Sequence, residues 1–400
     1  MSDFKQKIVQ LLAKDPDSIA KWERSVLDEL TAEKKDRIVL CGAGGLGRKT
    51  LAGLLRVGIT PLAFTDNNPK LAGTSIQRIP VLSSREAAEK YGRNSTFVVT
   101  IWHAHSRDRL AERKQQWRDL GCETVISFMP IFWKYAELLL PQYSSNLPHK
   151  VFAAKEKILS LADLWSDDMS RTEFLAQLRW RSELDFDGLP TPVAGPAYFP
   201  KELFTLFPDE RFVDCGAYDG DTLGDFLRLT ESKFQKYWAL EPDPANFAKL
   251  QGVVASLSAN LQSLFKLYSL AACERAQTLR FSADATAGSA VTGQGGIEVE
   301  GQSLDVLLAG EDPTFIKMDI EGAEPSALKG ATELLGRCRP ILAICIYHLQ
   351  EHLWEIPLWL KGILRDYDYF LRPHDLEGWD LVCYAVPRER SQNLNGLEKQ

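Results

Sequence analysis

The stretch Phe212-Val-Asp-Cys-Gly-Ala-Tyr-Asp-Gly-Asp-Thr-Leu223 decides the fold. An apolar run ends in Asp214, glycines follow at 216 and 220, and a helix-compatible segment comes next. Gly216 and Gly220 carry no Cβ, so the backbone there can approach a ligand closely. Strand, Gly loop and helix in that order open a βαβ unit, whose ligands sit at the carboxyl edge of the sheet. Working outward, apolar runs at 211–214, 237–241, 265–272, 315–319 and 341–346 alternate with helical patterns. That alternation predicts a mostly parallel sheet covered by helices on both faces. Eight residues separate Tyr369–Arg372 from Leu381–Ala385, too few for a crossover helix, so the last pair is expected to be antiparallel.

The acids around this turn carry chemical information. Tyr237-Trp-Ala-Leu240 ends in Glu241, 25 residues after Gly216. A carboxylate at the end of the second strand suits the two hydroxyls of a ribose. Asp214, Asp219 and Asp221 crowd the Gly loop, making it a poor host for pyrophosphate and a good one for a cationic methionine moiety. The expected cofactor is S-adenosylmethionine, and the expected contacts are Asp214, Gly216, Ala217, Tyr218, Gly220, Glu241 and Asp319. A reversed last strand agrees with the sheet of that class of methyltransferase.

Phe315-Ile-Lys-Met-Asp-Ile-Glu-Gly-Ala-Glu-Pro-Ser-Ala-Leu-Lys-Gly330 resembles the signature of FkbM-type methyltransferases. Supporting matches are Asp214-Cys-Gly-Ala217, Glu241-Pro-Asp-Pro244, Ser303-Leu-Asp305 and Pro340–His348. The resemblance covers about half the chain, Tyr198 to Pro387, and departs from the usual Val or Ile at Cys215. It implies transfer of a methyl group to an oxygen, often a hydroxyl of a sugar or a small natural product.

An alcohol that accepts a methyl group benefits from a base to take its proton. One candidate set is Asp319, Glu321 and Glu324. If extended geometry continued past Asp319, Glu321 would point to the same side. Pro325 would then start a helix through about Leu335, ended by Gly336. The other candidate is His348, at the end of the strand 341–347, with His352 four residues on. The plain alternatives are that Asp319 braces its loop and that His348 only hydrogen-bonds locally. No spacing compels a metal site, and none is expected.

A second Gly loop lies upstream. Gly42-Ala-Gly-Gly-Leu-Gly47 follows the strand Arg37–Cys41 and precedes a helix, and Asp66 ends the next strand. Gly42, Gly44, Gly47 and Asp66 thus form a candidate site for a nucleotide or nucleotide-sugar. The segment 64–82 resembles the small Rossmann domains of sugar-modifying enzymes. The alternative is a docking or dimerisation module with a vestigial Gly loop, which leaves a homodimer open. His103 and His105 share one face at the end of the strand 96–101, read as a solvated pair or a sugar or phosphate contact.

The division expected is 1–130 for an N-terminal helix and Rossmann-like domain, 131–197 for a helical connector, 198–388 for the methyltransferase domain and 389–400 for a polar tail. The fold class is α/β with two Rossmann-like domains. Gln277–Ser282 and Ile297–Glu300 read as a hairpin in the segment Arg280–Val299, which holds Asp284 and Ser289, and its tip at 285–296 reads as a lid over the sheet edge or as a plain flexible loop. The chain has 400 residues, more than one core usually supports. A net charge of −7 argues against nucleic acid as partner. Seven scattered cysteines without a CxxC fit buried thiols, and no apolar run reaches the ~20 residues of a membrane helix. A cytoplasmic enzyme acting on a small-molecule or saccharide hydroxyl is the expectation. Its rivals are an NAD-dependent sugar-nucleotide oxidoreductase and a non-catalytic binding protein.

Overall fold

Short, uninterrupted apolar runs cannot keep a polar face and so become interior strands of parallel sheets. The computed structural model describes residues 2–282, 290–291 and 296–392. Asp284, Ser289, most of the expected lid and the end of the tail lie outside the described residues. The first sheet contains β1 (Ile38–Cys41), β2 (Ala63–Thr65), β3 (Ser75–Ile76), β4 (Ile79–Leu82), β5 (Thr96–Val99) and β6 (Thr124–Ser127). Its order is β3-β4-β2-β1-β5-β6, parallel except for the β3–β4 hairpin. That hairpin was not predicted as strands. Its turn residues Gln77 and Arg78 both take positive φ, the geometry of a tight hairpin turn without the Asn or Gly that signals one.

The second sheet begins with β7 (Arg211–Cys215), β8 (Lys236–Leu240) and β9 (Phe265–Tyr268). A smaller sheet follows, made of β10 (Ala271–Ala272), β11 (Gln277–Ser282), β12 (Ala290–Val291) and β13 (Ile297–Gln302). β11 and β13 are the two arms of the expected hairpin. The expected single strand over 265–272 is broken, because β10 leaves β9 to pair with β13. β14 (Phe315–Met318), β15 (Ile341–Cys345), β16 (Tyr367–Pro373) and β17 (Leu381–Pro387) complete the second sheet, whose order is β16-β17-β15-β14-β7-β8-β9. β17 runs antiparallel to both neighbours, and with β16 the short connection between them requires it.

Between the sheets lie helices such as His149–Ala153, Lys155–Ser160 and Asp168–Glu183. This segment covers the open edge of the second sheet. Ser166 N–H donates to Tyr369 O at 2.9 Å, and the hydroxyls of Ser166 and Ser170 accept from the N–H groups of Tyr369 and Leu371, each at 2.9 Å. An uncovered edge strand would offer those groups to another chain. No described helix is long and apolar enough to cross a membrane.

Candidate active site

The Gly loop after β7 is shaped by close approach. Gly216 has φ +79°, and a Cβ there would stand 1.9 Å from the carbonyl oxygen of Asp319. Two strand ends, β7 and β14, therefore meet with no side chain between them. Pairing of β14 with β7 sets Lys317 opposite Asp214. The Lys317 ammonium lies 2.9 Å from Asp214 Oδ1 and donates to Gly216 O at 2.6 Å. Burial works against its charge, but the facing Asp214 outweighs it and holds the ammonium protonated. Tyr237 Oη also donates to Asp214, at 2.7 Å.

These contacts divide the expected cofactor set. Asp214 is turned inward to Lys317 and Tyr237, so its charge is matched inside the protein and does not make the loop acidic. Ala217 is fully buried, and Gly220 sits under the helix Pro244–Ala255 with φ +93°. Asp214, Ala217 and Gly220 all lie behind the wall of a cavity of about 240 Å³ at the carboxyl edge of the sheet. Gly216, Tyr218, Glu241 and Asp319 line it. Glu241 accepts from the N–H groups of Tyr218 and Asp243 at 2.9 and 2.8 Å, which ties the loops after β7 and β8 together. Burial pushes its carboxyl up to about 7 despite those bonds.

The other end of the cavity holds Asp319, Glu321, Tyr198, Tyr347 and Asp380. Asp319 lies just past β14, and Glu321 has φ +55°, so extended geometry does not continue as expected. The turn nevertheless brings both carboxylates to one side. Glu324 builds that turn, its Oε1 accepting from the N–H of Ile320 at 2.9 Å. Asp319 Oδ2 accepts from Tyr198 Oη at 2.7 Å. Burial opposes its charge, but His348, Lys317 and Tyr198 hold it well below the usual carboxylate range. Glu321 is pushed up to about 8, chiefly by burial.

His348, the other candidate base, is held among carboxylates. Its Nδ1 lies 2.9 Å from Glu324 Oε1, and its Nε2 lies 3.2 Å from Asp319 Oδ1 and 3.7 Å from Glu321 Oε2. Burial disfavours the imidazolium, yet these carboxylates raise its pKa well above the ordinary value. A ring already protonated on both nitrogens has no lone pair to take a proton. It stands behind Asp319 and Glu321, outside the cavity lining. His352 begins the helix His352–Ile363 instead of following His348 within one.

Residues 214–371 match the model of the methyltransferase FkbM domain. That match supports an FkbM-type methyltransferase domain in the C-terminal half. No curated protein matches the chain. Among solved structures, methyltransferase FkbM from Methylobacillus flagellatus KT is similar at 24% identity, over 96% of this chain and 99% of that one, with a TM-score of 0.78. That likeness shows the fold. A methyltransferase from Geobacter sulfurreducens is similar at 15% identity, over 64% of this chain and 94% of that one, with a TM-score of 0.27.

Within the FkbM-type half, sequence reading missed Tyr198, Tyr347 and Asp380. Tyr347 adjoins His348 and was within reach. Tyr198 precedes the first strand and Asp380 sits in a hairpin turn, where no pattern marks a role. At the upstream Gly loop, Asp66 accepts from the N–H groups of Ala43 and Asn68, both at 2.8 Å. Gly47 packs against β1's end, since a Cβ there would stand 2.0 Å from Gly42 O, while Gly44 faces open space. Gly42, Gly47 and Asp66 sit at one turn, and neither they nor Gly44 are part of the cavity. Arg48, in the helix after this loop, donates to Ala43 O at 3.1 Å.

Proposed function

We propose that the chain transfers a methyl group from S-adenosylmethionine to a hydroxyl of a sugar or small natural product. One observation carries the reading: a single cavity joins Glu241 at one end to Asp319 and Glu321 at the other. The donor set fits the cofactor. Glu241 is a carboxylate for a ribose diol, Leu270 and Ala271 offer apolar wall, and Asp221 offers a charge for an ammonium. When bound, S-adenosylmethionine supplies an activated methyl group. The protein's part is to align the acceptor oxygen with it, which accounts for much of the rate in a direct displacement. Glu321 is the base in this reading, since a carboxyl raised to about 8 is a strong proton acceptor once ionised. Asp319, held as an anion, orients the acceptor hydroxyl by accepting its hydrogen bond.

Calorimetric titration with S-adenosylhomocysteine tests the cofactor. Micromolar binding is expected in the wild type, and Glu241→Ala should weaken it by about tenfold or more, equivalent to about 1.4 kcal/mol. The melting temperature should stay within a few degrees. No binding, or full affinity in the variant, refutes the assignment.

A further inference from the structure

The end of the cavity that would receive the acceptor is not built by the second sheet alone. Ala104 and His105, from the loop after β5 of the first sheet, line it together with Asp319, Glu321, Tyr347 and Asp380. That loop is held at both ends. Thr100 Oγ1 donates to the carbonyls of Cys41 and Gly42, and Arg113 donates to Ile101 O at 2.7 Å. On the far side, Leu110 N–H donates to the Glu377 carboxylate and Arg109 donates to Leu189 O at 2.8 Å. Between these anchors the Trp102 ring stands 4.9 Å from Trp379. His105 N–H donates to Asp375, and ligating atoms of His105, Asp375 and Asp380 lie within 4.8 Å of one another. The imidazole itself is exposed, so it is free to meet a ligand.

We infer that the acceptor subsite is assembled across the two halves, with His105 and Asp380 as its specificity-determining residues, and takes polyhydroxylated acceptors that carry no negative charge. The inference rests on the methyl-transfer reading above. Three carboxyl groups, Asp319, Glu321 and Asp380, face this end of the cavity, and Asp375 stands beside His105. The buried cations nearest them are already committed: the His348 ring lies between Glu324 and Asp319 at 2.9 and 3.2 Å, and Lys317 is held by Asp214 and Gly216 O. Burial and the neighbouring Asp319 and Asp375 push Asp380 up to about 6, so the corner already resists the negative charge it holds. Carboxylates accept hydrogen bonds from hydroxyls, and an imidazole can donate or accept one. A phosphate or carboxylate on the acceptor would face like charge with no free cation to offset it. A nucleotide-linked sugar would have to keep its diphosphate outside this end.

The test uses the full chain saturated with S-adenosylhomocysteine. It is titrated with neutral methyl glycosides, amino sugars, and the matching sugar phosphates and uronates. At least one neutral or amino compound should bind, with its phosphate or uronate counterpart tenfold weaker or worse. Asp380→Asn should narrow that ratio at least threefold, and His105→Ala should weaken the neutral compound about tenfold. Unchanged S-adenosylhomocysteine affinity in both variants shows that they are folded. Asn also tolerates the φ of +47° at position 380. An anionic counterpart that binds as tightly, failure of every neutral and amino compound, or unchanged selectivity in both variants overturns the inference. If S-adenosylhomocysteine itself does not bind, the cofactor reading falls, and the same panel on the free protein still decides the acceptor question.

Discussion

A single buried ion pair sets the shape of the site's floor. Lys317 and Asp214 are both almost fully buried, so each depends on the other to offset the cost of leaving water. Replacing Lys317 by Met leaves Asp214 charged and unpaired, or forces it to take up a proton. The expected loss is about 3–5 kcal/mol in urea denaturation. Adding Asp214→Asn to Lys317→Met removes the stranded charge and should recover a large part of that loss. A double variant no more stable than the single one would mean that the lysine acts through packing, for example against the Tyr198 ring 5.1 Å away, and not through its charge. The motif around Lys317 was legible in the sequence as a signature, but its geometry was not. Strand register decides that Lys317 faces Asp214, and register is a property of two segments about a hundred residues apart.

At the scale of elements, legibility followed the cause of each boundary. Strands β7, β8 and β14 are largely apolar runs that end at a charged or glycine residue, and local sequence shows both features. The helix expected from Pro325 to Leu335 was not legible, because a distant contact interrupts it. It divides into Glu324–Lys329 and Thr332–Cys338 at Gly330, where a Cβ would stand 2.1 Å from Cys273 O. Asp305 restarts the helical register by accepting from the N–H of Leu334 at 2.7 Å. Gly336, read as the terminator, lies inside the second helix and faces open space. Two alanine substitutions should therefore have opposite signs. Gly330→Ala must push the backbone at Cys273 away and should cost about 1–3 kcal/mol. Gly336→Ala meets nothing and should stabilise by up to about 1 kcal/mol through helix propensity. Chemical denaturation of the two variants reads the difference directly, and equal effects would sink the account of Gly330 as a point of close approach.

For the molecule as a whole, the two sheets are joined by buried acids as well as by aromatic packing. Trp102 lies against Trp379 and Trp180, and Glu377 caps the helix Leu110–Asp119 through the N–H of Leu110. Burial pushes Glu377 up to about 7, as it does Glu173 and Glu241, while Glu321 reaches about 8 and Asp380 about 6. A carboxyl whose folded pKa is raised favours the folded state when protonated. Its contribution is complete below its unfolded value near 4.5 and is lost as pH climbs through the folded value. His348, raised by its carboxylate neighbours, likewise favours the folded state while protonated and loses that contribution as pH rises through its folded pKa. Asp319, Glu324 and Asp167 are lowered and act the other way, withdrawing stability only as pH falls below their unfolded values near 4. The protein should therefore be most stable near pH 4–5, with a melting temperature that falls by about 3–8 °C on going to pH 8.5. Glu377→Gln keeps an acceptor for Leu110 N–H but removes one ionisation. That variant should melt higher than wild type at pH 8.5, match it near pH 4.5, and show a shallower slope between them. A melting temperature that rises from pH 5.5 to 8.5 would mean that these buried acids are solvated or paired in a way the structure does not show.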